Sequence, residues 1–76
     1  MNLPTSITVT KNNTQVFHAE SGRLGMEESA CRDFICFASP IIGAPYYYLC
    51  YEEAAKRIAN DGFETCIVEG GRESRF

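Results

Sequence analysis

Four cysteines and a single histidine are the residues here whose types could do chemistry: Cys31, Cys36, Cys50, Cys66 and His18. Structural zinc sites take paired ligands two to four residues apart. The closest cysteines, Cys31 and Cys36, are five apart, which on a helix turns their directions about 140° from each other. They cannot chelate one ion easily, so no metal and no cofactor are expected. A Cys/His nucleophile pair would have to be completed by folding, and no glycine-framed nucleophile turn precedes any serine or cysteine. Ser21-Gly22-Arg23-Leu24-Gly25 lies ahead of a helical pattern but lacks the Gly-x-Gly-x-x-Gly spacing and the P-loop lysine. Glu27 and Glu28 would also repel an anion from that helix start. No catalytic residue is assigned, and the chain reads as a non-enzyme.

Binding is the chemistry left. Glu27, Glu28 and Asp33 fall on one helical segment, and Glu52 and Glu53 on a second. They form either solvated helix faces or an acidic surface that competes for a basic groove in place of phosphates. Tyr46, Tyr48 and Leu49 sharpen the second view, because a helix through them points all three away from the stripe Tyr47, Cys50, Tyr51 and Ala54. Tyrosine offers a large apolar body and a polar tip, which suits an interface. The expected partner-binding set is therefore Tyr46, Tyr48, Leu49, Glu52 and Glu53, with Glu27, Glu28 and Asp33 as a second surface.

The elements that must position these residues follow from periodicity. Ile7-Thr8-Val9-Thr10 alternates apolar and polar and reads as a half-buried strand. Asn12-Asn13 suits a tight hairpin turn, because asparagine tolerates positive φ. Gln15 to Glu20 returns as a strand, with Phe17 and Ala19 on the face opposite Val16 and His18. From Met26 to Ala38 the period becomes helical, with Ala30, Phe34 and Phe37 on the apolar side and Arg32 and Asp33 opposite. Ser39-Pro40 is expected to end that helix. Residues 45–60 fit one helix with Pro45 in its first position and a glycine stop at Asp61-Gly62. The alternative makes Tyr46 to Tyr51 a buried strand. Phe63 to Glu69 is a further strand, and Gly70-Gly71 begins a polar, flexible tail over 70–76.

The resulting fold class is α+β, a single domain over 1–76. Its order is ββααβ, a small and mainly antiparallel three-stranded sheet with two helices on one face. The strand alternative gives ββαβαβ with four strands.

Composition narrows the partner. At 76 residues and 45% apolar, the chain is large enough for one core and too apolar to be disordered. Ten acidic against seven basic residues give a charge of −3. A nucleic-acid binder shows the reverse balance, so direct nucleic-acid contact is not expected. A protein or ribonucleoprotein with a basic surface suits the charge better. Met1 to Thr10 carries no charged n-region and no apolar h-region, and no run approaches the length of a membrane span. A cytoplasmic, reducing compartment with free thiols and no membrane contact is expected.

In size, acidity and sheet-plus-helices plan, the chain resembles the small inhibitors that bacteriophages encode against host systems, notably anti-CRISPR proteins. The resemblance is one of architecture, and no family residue is carried across. It implies action in the host cytoplasm by occlusion of a nucleic-acid-binding groove, or of a nuclease-recruiting surface, on an RNA-guided surveillance complex. The runner-up reading is a stand-alone regulatory or structural module that pairs the same patch as a homodimer. A thiol or metal protein is the third.

Overall fold

A computed structural model describes residues 4–21, 29–43 and 50–76. Two hairpins flank two helices, in the order β1 (Ser6–Lys11), β2 (Thr14–Glu20), α1 (Ser29–Ile42), α2 (Tyr51–Ala59), β3 (Phe63–Glu69) and β4 (Arg72–Arg75). The strands form one antiparallel sheet ordered β2-β1-β3-β4. The α+β class and the placement of both helices against one sheet face stand. Among the described residues the order is ββααββ, with the four strands of the alternative form and Arg72–Arg75 as the fourth; Tyr46 to Leu49 lie outside the described residues.

Both hairpins close through two-residue turns with both residues at positive φ. Asn12 and Asn13 have φ of 54° and 62°, Gly70 and Gly71 of 53° and 82°. That backbone matches the right-handed twist of the flanking strands, and asparagine and glycine are the residues that adopt it at low cost. The stretch expected to be a tail is thus a strand. Gly70-Gly71 is a turn, and β4 pairs with β3 from Glu69↔Arg72 to Cys66↔Arg75. The pairing extends to Phe76, which exchanges backbone hydrogen bonds with Thr65 at 2.9 and 3.2 Å.

Alternation along each strand sorts core from surface. Ile7, Val9, Ala19, Thr65 and Ile67 are buried towards the helices, which answer with Ala30, Cys31, Phe34, Ile35, Ala38, Ala54, Ala55 and Ile58. Phe17 of β2 lies 6.0 Å from Phe34 and stacks at 4.8 Å on Phe37, which meets Phe63 of β3 edge-on at 6.0 Å. The Lys11 ammonium sits 4.5 Å from the Phe63 ring centre and closes the row with a cation–π contact. Between β1 and β2 the register shifts after Val9, which leaves Val16 unpaired and 45% exposed.

Pro40 does not end α1. The helix continues to Ile42, and Gly43, at φ +84°, caps it by donating its N–H to the Ser39 carbonyl. An interior proline costs about 3 kcal/mol. Burying an isoleucine side chain is worth about 1.5–3 kcal/mol, and both Ile41 and Ile42 pack half-buried against the core. The burial offsets the proline, which points to solvent. At the other end, the Ser21 hydroxyl accepts the Ala30 N–H at 2.8 Å, so a residue just past β2 satisfies one of the orphan donors of the helix start. The expected start at Met26 lies outside the described residues.

The helix expected over 45–60 is described from Tyr51, with Cys50 as its N-cap. Tyr51 is helical, so a strand does not run through it. The Tyr51 hydroxyl donates to Glu69 Oε1 at 3.0 Å and ties the first turn of α2 to β3. After Asn60 the chain turns at Gly62, φ +89°, the glycine stop expected there.

Candidate functional site

The expected partner-binding residues divide between the two sides of that boundary. Tyr46, Tyr48, Leu49, Glu27 and Glu28 lie outside the described residues. Asp33 on α1 and Glu52 and Glu53 on α2 are exposed and, among the described residues, enter no ion pair. They belong to the helix layer. Glu52 and Glu53 occupy the first turn of α2, where the helix dipole stabilises them. Beneath them, burial pushes the Tyr51 phenol well above its ordinary range, followed by its hydrogen bond to Glu69 and the charges of Glu69 and Glu52. A neutral, donating Tyr51 therefore holds this turn in place.

A second surface lies across the sheet, on the face that no described element covers. Its side chains are the polar half of each strand's alternation: Ser6, Thr8 and Thr10 from β1, His18 and Glu20 from β2, Glu64, Cys66 and Val68 from β3, Glu73 and Arg75 from β4. Among the described residues of this face, three carboxylates stand against a single guanidinium. The Arg75 guanidinium is engaged by Glu73, with Nε at 3.1 Å and Nη2 at 3.0 Å from Oε1, so the face keeps a net negative charge.

Two features organise this face. The first is a chain of polar contacts. Thr8 Oγ1 is 2.8 Å from His18 Nδ1, and His18 Nε2 is 3.2 Å from Glu20 Oε1. An ionised carboxylate only accepts, so in the neutral imidazole Nε2 carries the proton and Nδ1 is left to accept the threonine hydroxyl. The second is a groove of about 600 Å³ lined by Thr8, Thr10, Glu64, Thr65, Cys66, Arg75 and Phe76. The Cys66 thiol is raised by burial, then by the charge and hydrogen bond of Glu73. It is held as a thiol, the poor nucleophile of the pair.

The hydroxyl–imidazole–carboxylate order is that of an activated nucleophile. Its surroundings are not. β1 is a central strand whose backbone N–H groups are taken up in the ladders to β2 and β3, so none of them is available to stabilise an oxyanion. The arrangement has Thr8 donating to His18 and binds β1 to β2. Among the described residues no group of three or more His, Cys, Asp or Glu side chains is gathered to hold a metal ion. None of their helices is long and apolar enough to cross a membrane.

Fold and site together define a two-layer α+β domain whose open sheet face is acidic and grooved. Comparison of the chain with protein-family models, with curated proteins and with solved structures finds no match in any of the three.

The groove residues were missed by the sequence reading, although half of the signal was present. Alternation in 7–10 and 63–69 already put Thr8, Thr10, Glu64 and Cys66 opposite the core. The missing half was β4, which brings Arg75, Glu73 and Phe76 to the same place.

Proposed function

We propose that this chain is a non-enzymatic binding protein that covers a basic surface of a protein or ribonucleoprotein, with the open sheet face as its principal contact. The observation that carries the reading is the charge of that face. Among the described residues of the face, Glu20, Glu64 and Glu73 stand with one cation, Arg75, which Glu73 holds. Opposite fields speed encounter and fix orientation. A rigid sheet presents its side chains at fixed spacing, so little entropy is lost on docking. Such a protein acts by occlusion, the mode of the anti-CRISPR-type inhibitors that the chain resembles in plan, and its target there is a nucleic-acid-binding groove or a nuclease-recruiting surface in the host cytoplasm.

A second surface is favoured by its own observation: Asp33, Glu52 and Glu53 are exposed, unpaired with any cation among the described residues, and carried on helices fixed to the core. Charge reversal separates the two. Affinity capture from host lysate is run with the wild type, with the double variant Glu20→Lys/Glu64→Lys and with Glu52→Lys/Glu53→Lys, each checked for its circular-dichroism spectrum. The reading expects a basic partner retained by the wild type and by the helix variant, and lost from the sheet variant. Loss from the helix variant alone moves the contact to α2. Equal capture by all three, or sedimentation of the isolated chain as a stable dimer, overturns the occlusion reading, the latter in favour of a homodimeric module.

A further inference from the structure

The groove on the open face has a composition more specific than its charge. We infer that it is a receptor for an arginine side chain, presented with its flanking main chain by the basic partner; the inference rests on the docking reading above and names the chemistry of the partner at one point of contact.

Four observations on one site lead there. Glu64 is exposed at the groove and, among the described residues, enters no ion pair, its charge reaching Arg75 only at longer range, so its carboxylate is available to a cation. Thr8 and Thr10 line the same groove, and the proton order Glu20–His18–Thr8 uses the Thr8 hydrogen on His18, which leaves the Oγ1 lone pairs to accept. Phe76 lines it too and, as the ladder partner of Thr65, packs its ring against the core, so this wall of the groove is anchored. Finally, the groove's own cation, Arg75, is bound to Glu73. With Glu64, Glu73 and Arg75 the local balance is −1, which disfavours a carboxylate or phosphate ligand.

A guanidinium matches this set. It carries five N–H donors in a plane and no acceptor, and the groove offers a carboxylate and two hydroxyl oxygens. Its planar fork meets several acceptors at once, where an ammonium behaves as a compact, strongly hydrated point charge. A volume of about 600 Å³ lies within the range of ligand sites, roughly 300–1,000 Å³. It has room for the side chain and the residues on either side of it.

The test uses the full chain, labelled with ¹⁵N, and three acetylated and amidated pentapeptides in which a central arginine, lysine or citrulline is flanked by glycines. Citrulline keeps the shape of arginine and removes its charge. The arginine peptide is expected to shift the backbone amides of Thr8, Thr10, Glu64, Cys66 and Phe76 saturably, with a Kd on the order of millimolar. The lysine peptide should bind roughly threefold more weakly and citrulline at least about tenfold more weakly. Glu64→Gln should weaken the arginine peptide roughly tenfold. Equal binding of citrulline, no saturable shift up to about 10 mM, or shifts centred on Glu52 and Glu53 overturns the inference. Should the peptides fail while charge reversal on the sheet still abolishes partner capture, the groove assignment falls and the docking reading stands. If both fail, both fall.

Discussion

Thr65 offers a sharp test of the packing. It is 1% exposed on the core face of β3, opposite the fully buried Val9, and its hydroxyl oxygen has no hydrogen-bond partner among the described residues. A buried hydroxyl without a partner costs about 1–3 kcal/mol, because it has given up its bonds to water for nothing in return. Valine has nearly the same shape, keeps the β-branch that suits a strand, and puts a methyl group where the hydroxyl was. Thr65→Val should therefore stabilise the fold by about 1–2 kcal/mol. For 76 residues the whole stability is roughly 4–11 kcal/mol, so the gain is a large fraction of it. At about 4–8 °C per kcal/mol for a domain of this size, Tm should rise by roughly 4–16 °C. Urea unfolding followed by circular dichroism supplies the free energy, and an unchanged m-value shows that the same surface is exposed in both proteins. Thr10→Val, on the open face, is the control and should stay within about 0.5 kcal/mol of the wild type. An unchanged or lower midpoint for Thr65→Val refutes the reasoning, since it requires that the hydroxyl is satisfied in the folded protein.

Two further outcomes follow from local features. The Tyr51 phenol is raised above its ordinary value of 10.0 in the folded state, so its contribution is complete below about pH 10 and is lost as pH rises beyond it, where the unfolded chain ionises first. Stability measured by urea between pH 8 and 11 should fall at the alkaline end for the wild type and much less for Tyr51→Phe, which should cost about 1 kcal/mol at neutral pH; identical slopes would contradict the Tyr51–Glu69 tie. Pro40→Ala restores an N–H to the Cys36 carbonyl at an exposed position within α1. It should raise stability by about 1–2 kcal/mol, the helix gain being partly cancelled by a more flexible unfolded chain; a lower urea midpoint would show that the proline is not a strain on the helix.

What the sequence made legible was whatever a two- or four-residue period encodes. Ile7 and Val9 against Thr8 and Thr10 announced both the strand and its buried face. Asn12-Asn13 announced the turn, and Ala30 and Phe34 the inner side of α1. Arg72-Glu73-Ser74-Arg75 carries no such period and little strand propensity. It becomes a strand because β3 offers a ladder and Gly70-Gly71 turns the chain back onto it, so tertiary pairing decides. Pro40 misled for the same reason: the local preference against helix is real, but Ile41 and Ile42 beyond it find a core. The candidate site suffered most from this. Glu52, Glu53 and Asp33 were visible as helix acids, whereas Glu64 gained meaning only once β4 set Arg75 and Phe76 beside Cys66 and Thr65.

The pairing of β1 with β3 has a kinetic consequence. Each hairpin closes over two residues, but Ser6 meets Val68 across the length of the chain, and the length-dependent part of closing such a loop is roughly 4 kcal/mol. Neither hairpin holds a complete sheet alone, because Ile7 and Val9 belong to one and Thr65 and Ile67 to the other. Folding is thus a search by two distant segments for each other, with the helices tethering them, and its speed is set by that encounter far more than by the two turns.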